Sequence, residues 1–404
     1  MDEAALMSAS PFPGDILDQF PGARKSVYLS SCARGLLPLS AKEALVDYLD
    51  GRVDGTTDKA AAFATVERVR GNFAGLINAA PNEIALTKNV SDGLTALAGA
   101  MPWQAGDNVV VCLDLEHPNN MYPWFNLRER EGIEVRGVAP RDGHISADAL
   151  IDAMDDRTRV VTLSSVSFSP GFRTDVAAVG AACRRQDAFL LVDAVQSVGI
   201  LDTDVEALEI DGLAVSTQKG LLGLYGFGFL YCRKDWAERM TPVSLARFGV
   251  DLGDGAHEAA RGSDQYALMP GARRFDLGNY NYPGAIVADA SLKLIQSVGT
   301  PAIEAHVHRL SRRLAGGLMD LGLPVAGGQP GPHLGSIVSV GRFGEGGHDS
   351  TDDPRISALY DHLTAHDVVL TIRQGMLRMA FHLYNSADDV DRVVALCAGW
   401  LRAN

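Results

Sequence analysis

An aspartate and a lysine each stand at the end of a short apolar run. The run Phe189–Val192 ends on Asp193, and the run Gly212–Ser216 leads to Lys219. Apolar runs of this length, bounded by polar residues, predict strands that are buried on both faces. Because ligands bind at the carboxyl edge of a parallel sheet, we expect the two side chains to face one crevice. Each has a structural alternative, since buried strands often end in Asp and most lysines are solvated.

A carboxylate and an amine that share a crevice suit the chemistry of pyridoxal 5′-phosphate. Lys219 would hold this cofactor as a Schiff base, and Asp193 would keep the pyridine nitrogen protonated, so that the ring draws electrons from the Cα atom of a substrate. The pair therefore predicts an enzyme whose small-molecule substrate is an amino acid.

The segments around these two residues resemble the class V aminotransferases. They read VDAVQSVG from Val192, then Ser216-Thr217-Gln218-Lys219, then the glycine-rich run Gly223–Tyr231. That family includes cysteine desulfurases, serine-type transaminases, isopenicillin N epimerase-like proteins and C–S lyases. The resemblance implies the fold of fold-type I pyridoxal phosphate enzymes, which is an α/β fold with a mainly parallel, doubly wound sheet in a large domain and a smaller α+β C-terminal domain. Strands that alternate with helices along the chain predict the same kind of sheet.

A helix that starts directly after a strand predicts the site for the cofactor phosphate. The strand beginning at Ile84 turns into a helix near Val90 and Ser91, and a helix N-terminus favours anions through its unpaired N–H groups and its dipole. The corresponding turn of the family cradles the phosphate, and Ser91 keeps a hydroxyl there, whereas Val90 replaces a threonine. Ser216 is a further candidate for binding the phosphate.

The resemblance also implies roles for three polar residues. Gln196 would face the ring oxygen, and Gln218 stands where relatives usually carry a histidine before the lysine, which keeps a donor but loses a titratable group. Asn279 matches a threonine of the family that reaches the phosphate of the partner subunit's cofactor. This match implies a homodimer with shared active sites.

A histidine follows the strand that begins at Asn108. The segment Glu116-His117-Pro118-Asn119-Asn120-Met121-Tyr122-Pro123-Trp124 resembles the family's Glu-His-x-x-Asn-x-x-Pro-Trp segment, whose histidine stacks on the pyridine ring. A flat imidazole suits a flat ring. The alternative is a histidine with a purely structural role.

Two arginines are candidates for binding the substrate. Arg378, with Tyr384 and Asn385 after it, matches the family's Leu-Arg-x-Ser-x-x-x-Tyr-Asn-Thr signature, whose arginine clamps the substrate α-carboxylate. A guanidinium suits a carboxylate because it donates two parallel hydrogen bonds. The alternative for Arg378 is a structural ion pair. Arg34, in the loop after Val27–Leu29, is a second candidate, with an exposed loop arginine as the alternative.

The sequence indicates the cofactor more clearly than it indicates the reaction. The desulfurases of this family use a loop cysteine shortly before the carboxylate-binding arginine, and this chain has no cysteine between Cys232 and Cys397. We therefore expect an aminotransferase. The alternatives are a C–S lyase that works by β-elimination, an amino acid epimerase of the isopenicillin N epimerase-like branch, and a non-catalytic binding protein with the same fold.

Composition excludes several other classes of protein. The chain of 404 residues has a formal net charge of −14, which repels nucleic acid. It contains no apolar stretch long enough for a membrane span, and its acidic start is unlike a signal peptide, so we expect a cytoplasmic protein. His362 and His366 lie four residues apart, but no third ligand accompanies them, so no metal site is expected.

The pattern of the chain predicts three parts. Residues 1–25 form an N-terminal segment that packs on the small domain, residues 26–284 form the large cofactor-binding domain, and residues 285–404 form the small C-terminal domain. The glycine-rich polar segment Arg342–Pro354 predicts an exposed loop within the last part.

Overall fold

The computed structural model describes residues 11–253, 257 and 259–404. Its α-helices, numbered in chain order, are α1 Gly14–Asp18, α2 Leu39–Asp54, α3 Lys59–Leu76, α4 Val90–Ala100, α5 Tyr122–Glu131, α6 Ala147–Asp152, α7 Val176–Gln186, α8 Lys234–Arg239, α9 Tyr282–Val298, α10 Thr300–Asp320, α11 Pro354–Ala365 and α12 Ala387–Ala403. Its strands are β1 Val27–Tyr28, β2 Ile84–Thr87, β3 Asn108–Val111, β4 Glu134–Gly137, β5 Thr158–Ser164, β6 Phe189–Asp193, β7 Gly212–Ser216, β8 Gly228–Cys232, β9 Val250–Asp251, β10 Ala267–Leu268, β11 Ile337–Gly341, β12 Val368–Val369, β13 Thr371–Arg373 and β14 Met376–Ala380.

A mainly parallel sheet forms the centre of the fold. In the described part of the chain its seven strands run in the order β2-β8-β7-β6-β5-β3-β4, and β8 is antiparallel to both of its neighbours. Every residue of β3, β6, β7 and β8 is buried, because packed clusters of apolar side chains cover both faces of the sheet. The predicted doubly wound parallel architecture is therefore confirmed, with one reversed strand inside it.

The reversed strand β8 depends on a close approach of backbones. A Cβ atom on Gly228 would lie 2.5 Å from the carbonyl oxygen of Val215, so a residue with a side chain does not fit at this position. The glycine-rich run that follows Lys219 thus returns the chain beside β7, and it keeps the lysine at the carboxyl edge of the sheet.

The C-terminal part of the chain builds a separate antiparallel sheet. Its strands have the order β11-β14-β13, and β1 from the start of the chain pairs in parallel with β12. In the N-terminal segment, the ring of Phe12 lies 5.1 Å from that of His306, and the ring of Phe20 lies 5.1 Å from that of Tyr384. Residues 1–10 of the predicted segment lie outside the described residues.

The predicted boundary at residue 285 falls inside α9. This helix starts at Tyr282, because Asn281 caps it by accepting a hydrogen bond from the Gly284 backbone N–H at 3.0 Å. It packs against α2 and α3 of the large part. The division into three parts stays a prediction.

No helix in the described ranges combines the length and the apolar character that crossing a bilayer requires.

Candidate active site

A cavity of about 140 Å³ lies at the carboxyl edge of the central sheet. Its walls include Asp193, Lys219, His117, Gln196 and Gln218. Asp193 arrives as the last residue of β6, and Lys219 follows β7, which is the neighbouring parallel strand. The structure thus brings the acid and the amine to one crevice.

Asp193 is a buried carboxylate at the wall of this cavity. It is 3% exposed, and its Oδ1 accepts a hydrogen bond from the Val195 backbone N–H at 3.0 Å. Burial raises its pKa, while this hydrogen bond and the nearby Lys219 act in the opposite direction. A cation placed against Asp193 would relieve the cost of its burial.

The amine of Lys219 lies in a desolvated position. The residue is partly accessible through the cavity, and burial around the amine lowers its pKa to about 8, with Arg378 and Arg373 adding to the effect and Asp193 opposing it. The lysine sits in a fixed turn, because the Leu222 N–H donates to its carbonyl at 3.1 Å. The amine therefore deprotonates more easily than that of an ordinary lysine, and a neutral, nucleophilic fraction is present from neutral to mildly alkaline pH.

His117 presents a neutral imidazole to the cavity. Its Nδ1 accepts a hydrogen bond from the Asn119 N–H at 3.2 Å, so this nitrogen carries no proton. Burial, followed by the charge of Lys219, lowers the pKa of His117 to about 4. The ring meets Phe168 edge to face at 5.4 Å between centroids. This packing leaves a flat, uncharged ring at the wall of the cavity.

Glu116 anchors the segment that carries His117, and sequence reasoning assigned it no role. Its carboxylate accepts hydrogen bonds from the Ser164 N–H at 2.6 Å, from Ser164 Oγ at 2.7 Å and from Asn120 Nδ2 at 2.9 Å. Burial raises its pKa to about 7, and the hydrogen bonds from Ser164 and Asn120 oppose the shift. The sequence did contain a signal for this role. Glu116 and Asn120 are polar residues four positions apart in the segment that resembles the family motif, but only the histidine of that segment was given a function.

The N-terminus of α4 lies beside Ser216. Asn89 caps this helix by accepting a hydrogen bond from the Asp92 N–H at 3.0 Å, and the Val90 N–H donates to Ser216 Oγ at 2.7 Å. Val90 also lines the cavity, while Ser91 lies in the first turn of α4, outside the residues that line the cavity. The helix end and Ser216 together form a cradle suited to an anion.

Gln196 links the cavity to the loop that carries Cys32. Its Nε2 donates to the Cys32 carbonyl at 3.1 Å. Cys32 is a buried residue, and its Sγ atom lies 3.8 Å from Thr371 Oγ1. The sequence offered no reason to expect a cysteine here, because Cys32 is far along the chain from the residues that it contacts, Gln196 and Thr371.

Arg378 is almost completely buried on β14. It is 2% exposed, its Nε donates to Thr371 Oγ1 at 3.3 Å, and an Nη donates to the carbonyl of Phe168. Burial lowers its pKa, and no carboxylate within the described part of the chain forms a salt bridge with it. A substrate carboxylate would supply the missing counter-charge.

Five of the predicted site residues are not among those that line this cavity, namely Ser91, Ser216, Arg378, Arg34 and Asn279. Arg34 is exposed and is not among the residues that line the cavity. Asn279 lines a different cavity of about 430 Å³, together with Thr87 and Gly226, and has φ of 46°. Asparagine adopts this left-handed conformation more readily than a β-branched threonine. Their roles stay predictions.

His362 and His366, four residues apart in the sequence, are also close in the structure. His366 Nδ1 lies 2.7 Å from the carbonyl of His362, and no group of three or more metal-ligating side chains occurs among the described residues.

The residues present fit pyridoxal phosphate. A desolvated amine, a buried carboxylate and a flat neutral ring face one cavity, and a helix N-terminus with a serine hydroxyl opens at its edge. These groups match the aldehyde, the pyridine nitrogen, the ring face and the phosphate of the cofactor.

Comparisons with known proteins agree with this chemistry. The family model described as aminotransferase class-V matches residues 27–393. The chain is 30% identical to a probable cysteine desulfurase of Methanothermobacter thermautotrophicus, with 93% of this chain and 95% of the relative covered. It is 28% identical to YcbU, an uncharacterised aminotransferase of Bacillus subtilis, with 93% and 94% covered.

A solved structure gives the same result for the fold. The cystine C–S lyase C-DES, in complex with its product cysteine persulfide, superimposes with a TM-score of 0.81 at 25% identity, with 94% of this chain and 99% of that chain covered. The fold is therefore that of fold-type I pyridoxal phosphate enzymes, and the cofactor of this protein is pyridoxal 5′-phosphate. By the match over nearly its whole length, the chain belongs to the class V aminotransferase family.

Proposed function

We propose that this protein is an aminotransferase that acts at the Cα atom of an amino acid, with Lys219 as the residue that carries the cofactor and moves the proton. The observation that carries the proposal is the desolvated amine of Lys219, with a pKa of about 8, facing the same cavity as the buried Asp193. Bound pyridoxal phosphate supplies an electron-withdrawing ring that acidifies the Cα–H bond of the amino acid.

The residues around the cavity would hold the cofactor from several sides. Asp193 would meet the pyridine nitrogen, His117 would stack on the ring, and Gln196 would donate to the ring oxygen, since all three line the cavity. Ser216 and the N-terminus of α4, with Val90 and Ser91, would bind the phosphate, and Gln218 would contribute a neutral amide next to Lys219.

Among the described residues that line the cavity, Lys219 is the group with a pKa suited to carrying the proton, and this favours transamination over epimerisation. Lys219 can accept a proton from Cα and donate it again, because its pKa lies close to neutral pH. Inversion of the stereocentre needs a protonated acid on the opposite face of the substrate. His117, with a pKa of about 4, is neutral near pH 7 and does not supply that acid.

Arg378 would hold the substrate α-carboxylate. Its guanidinium is held by hydrogen bonds to Thr371 of the small sheet and to the carbonyl of Phe168 in the large part of the chain. Arg34 is a second, weaker candidate, because it is exposed outside the cavity. A homodimer would let Asn279 of one subunit reach the phosphate in the other, as the family resemblance implies.

The second candidate reaction is elimination of a β-substituent by a C–S lyase. It is favoured by the similarity to the cystine C–S lyase, whereas the β13–β14 connection argues against desulfuration through a loop cysteine. In this connection only Gln374 and Gly375, with φ of 47° and 87°, separate the two strands. A turn of two residues leaves no loop there to carry a cysteine.

A donor panel separates these reactions. The holoenzyme is incubated with single amino acids, and we expect one donor to give its keto acid together with the amine form of the cofactor. Pyruvate and ammonia without the amine form would show a lyase, and an inverted stereocentre would show an epimerase. No reaction and no exchange of the Cα proton with any donor would favour the binding protein.

A further inference from the structure

A second arginine lies on the same face of the small antiparallel sheet as Arg378. In this sheet Thr371 is opposite Arg378, and Arg373 is opposite Met376. Side chains two residues apart on a strand point to the same face, so these four residues share one face. That face meets the large part of the chain, because Arg378 donates to the carbonyl of Phe168.

The position of Arg373 puts its charge near the site. Diagonal neighbours across an antiparallel pair have Cα atoms about 7–8 Å apart, a span that two long side chains can close around one small ligand. The charge of Arg373 contributes to lowering the pKa of both His117 and Lys219, after burial and the other nearby cations. Arg373 is therefore a second guanidinium beside the proposed α-carboxylate clamp.

The carboxylate that pairs with Arg373 comes from an exposed loop. Arg373 forms an ion pair with Asp349, and the two side chains are 23% and 68% exposed, respectively. The loop, residues 342–353, lies along the β13–β14 turn, where the Gly375 N–H donates to the Ser350 carbonyl at 3.0 Å. The ring of His348 in this loop lies 6.2 Å from that of Phe168, a residue that lines the cavity.

We propose that Arg373 binds a second carboxylate, on the side chain of the substrate, and that Asp349 occupies the same guanidinium when no substrate is bound. The substrate class is then an α-amino dicarboxylic acid, whose two carboxylates meet Arg378 and Arg373. Because the Asp349 side chain is 68% exposed, solvent screens its pairing with the more buried Arg373 and the pair contributes little to stability, so a substrate carboxylate can replace Asp349. This inference rests on the proposed function.

The first measurement is equilibrium binding to the holoenzyme. Calorimetry compares succinate with its monoamide succinamate, which differ only in the second charge. We expect succinate to bind about ten- to a hundredfold more tightly, the range of a hydrogen bond between charged groups. In R373Q the two ligands should bind equally, and in D349N the preference for succinate should increase, because the competing internal carboxylate is gone.

The second measurement is turnover of matched donors. The ratio of kcat/KM for aspartate over asparagine, and for glutamate over glutamine, should fall toward one in R373Q and stay high in the control R342Q, which changes an exposed arginine of the same loop. R373K keeps the charge without the planar fork and should give an intermediate ratio. R373K also replaces R373Q as the test variant if R373Q does not fold.

The outcomes separate this inference from the proposed function. If amino acids react but R373Q leaves the acid-to-amide ratios unchanged, or the parent enzyme shows no preference for succinate, Arg373 only fastens the loop and the inference is overturned. If no amino acid exchanges its Cα proton, the proposed function fails, and succinate binding alone then decides the role of Arg373.

Discussion

Thr371 lies directly opposite Arg378 across the β13–β14 pair, and its hydroxyl oxygen accepts a hydrogen bond from Arg378 Nε at 3.3 Å. The same oxygen lies 3.8 Å from Cys32 Sγ. Thr371 therefore orients the buried guanidinium, which has no carboxylate partner in a salt bridge among the described residues. The proposed clamp therefore depends on the hydroxyl group of Thr371.

Replacing Thr371 with valine tests this positioning role. T371V keeps the shape and removes the acceptor, so we expect KM for the amino acid donor to rise about fivefold, the effect of one hydrogen bond, with kcat nearly unchanged. T371S keeps the hydroxyl and should restore the KM of the parent enzyme. A T371V enzyme with an unchanged KM would show that Arg378 is held in place without Thr371.

Replacing Asp193 with asparagine tests the partner of the pyridine nitrogen. D193N keeps the size and removes the charge, and we expect kcat to fall by roughly a hundredfold or more, in line with about 3 kcal/mol for breaking a buried charged pair. D211N is the matched control. Asp211 is also a buried carboxylate, and it accepts a hydrogen bond of 2.9 Å from the Leu190 N–H, but it does not line the cavity. Equal losses of kcat in both variants would contradict the role of Asp193.

Substitutions of His117 separate stacking from acid–base chemistry. Since the pKa of about 4 keeps the imidazole neutral, a phenyl ring should replace it in stacking. We expect H117F to bind the cofactor within about threefold of the parent protein and H117A to bind it about tenfold more weakly, given the usual strength of an aromatic pair. The measurement is the dissociation constant of pyridoxal phosphate, and equal weakening in the two variants would argue against stacking.

The pKa of Lys219 sets the pH dependence of cofactor uptake. Its pKa is lowered to about 8, so the amine loses its proton, and becomes a nucleophile, as the pH rises through that value. The rate at which the apoprotein takes up pyridoxal phosphate should rise through about pH 8 and then level off. A midpoint near that of an ordinary lysine, about 10.4, would show that the amine is not desolvated in the apoprotein.

Much of the central sheet could be predicted because local sequence determined it. The runs that end at Asp193 and Ser216 are apolar throughout, and such runs become buried strands wherever they pair. The antiparallel direction of β8 was not predicted, because it depends on the packing of Gly228 against Val215, which no periodicity reveals.

The candidate site was predictable where one segment carried both the strand and the functional residue. Glu116, Thr371 and Cys32 were missed, since their contacts join segments that are far apart in the chain. Asn279 faces a second cavity, and a role at the partner's cofactor depends on an assembly that one chain does not contain.

The measurement that tests the central claim most directly is chemical trapping of the cofactor. The holoenzyme is reduced with borohydride, digested, and analysed by mass spectrometry. We expect the phosphopyridoxyl group on the peptide that contains Lys219, and no trapped group in K219A, whose folding is checked by circular dichroism. A phosphopyridoxyl group on another lysine of the parent protein, or none at all in a protein saturated with the cofactor, would contradict the assignment of Lys219.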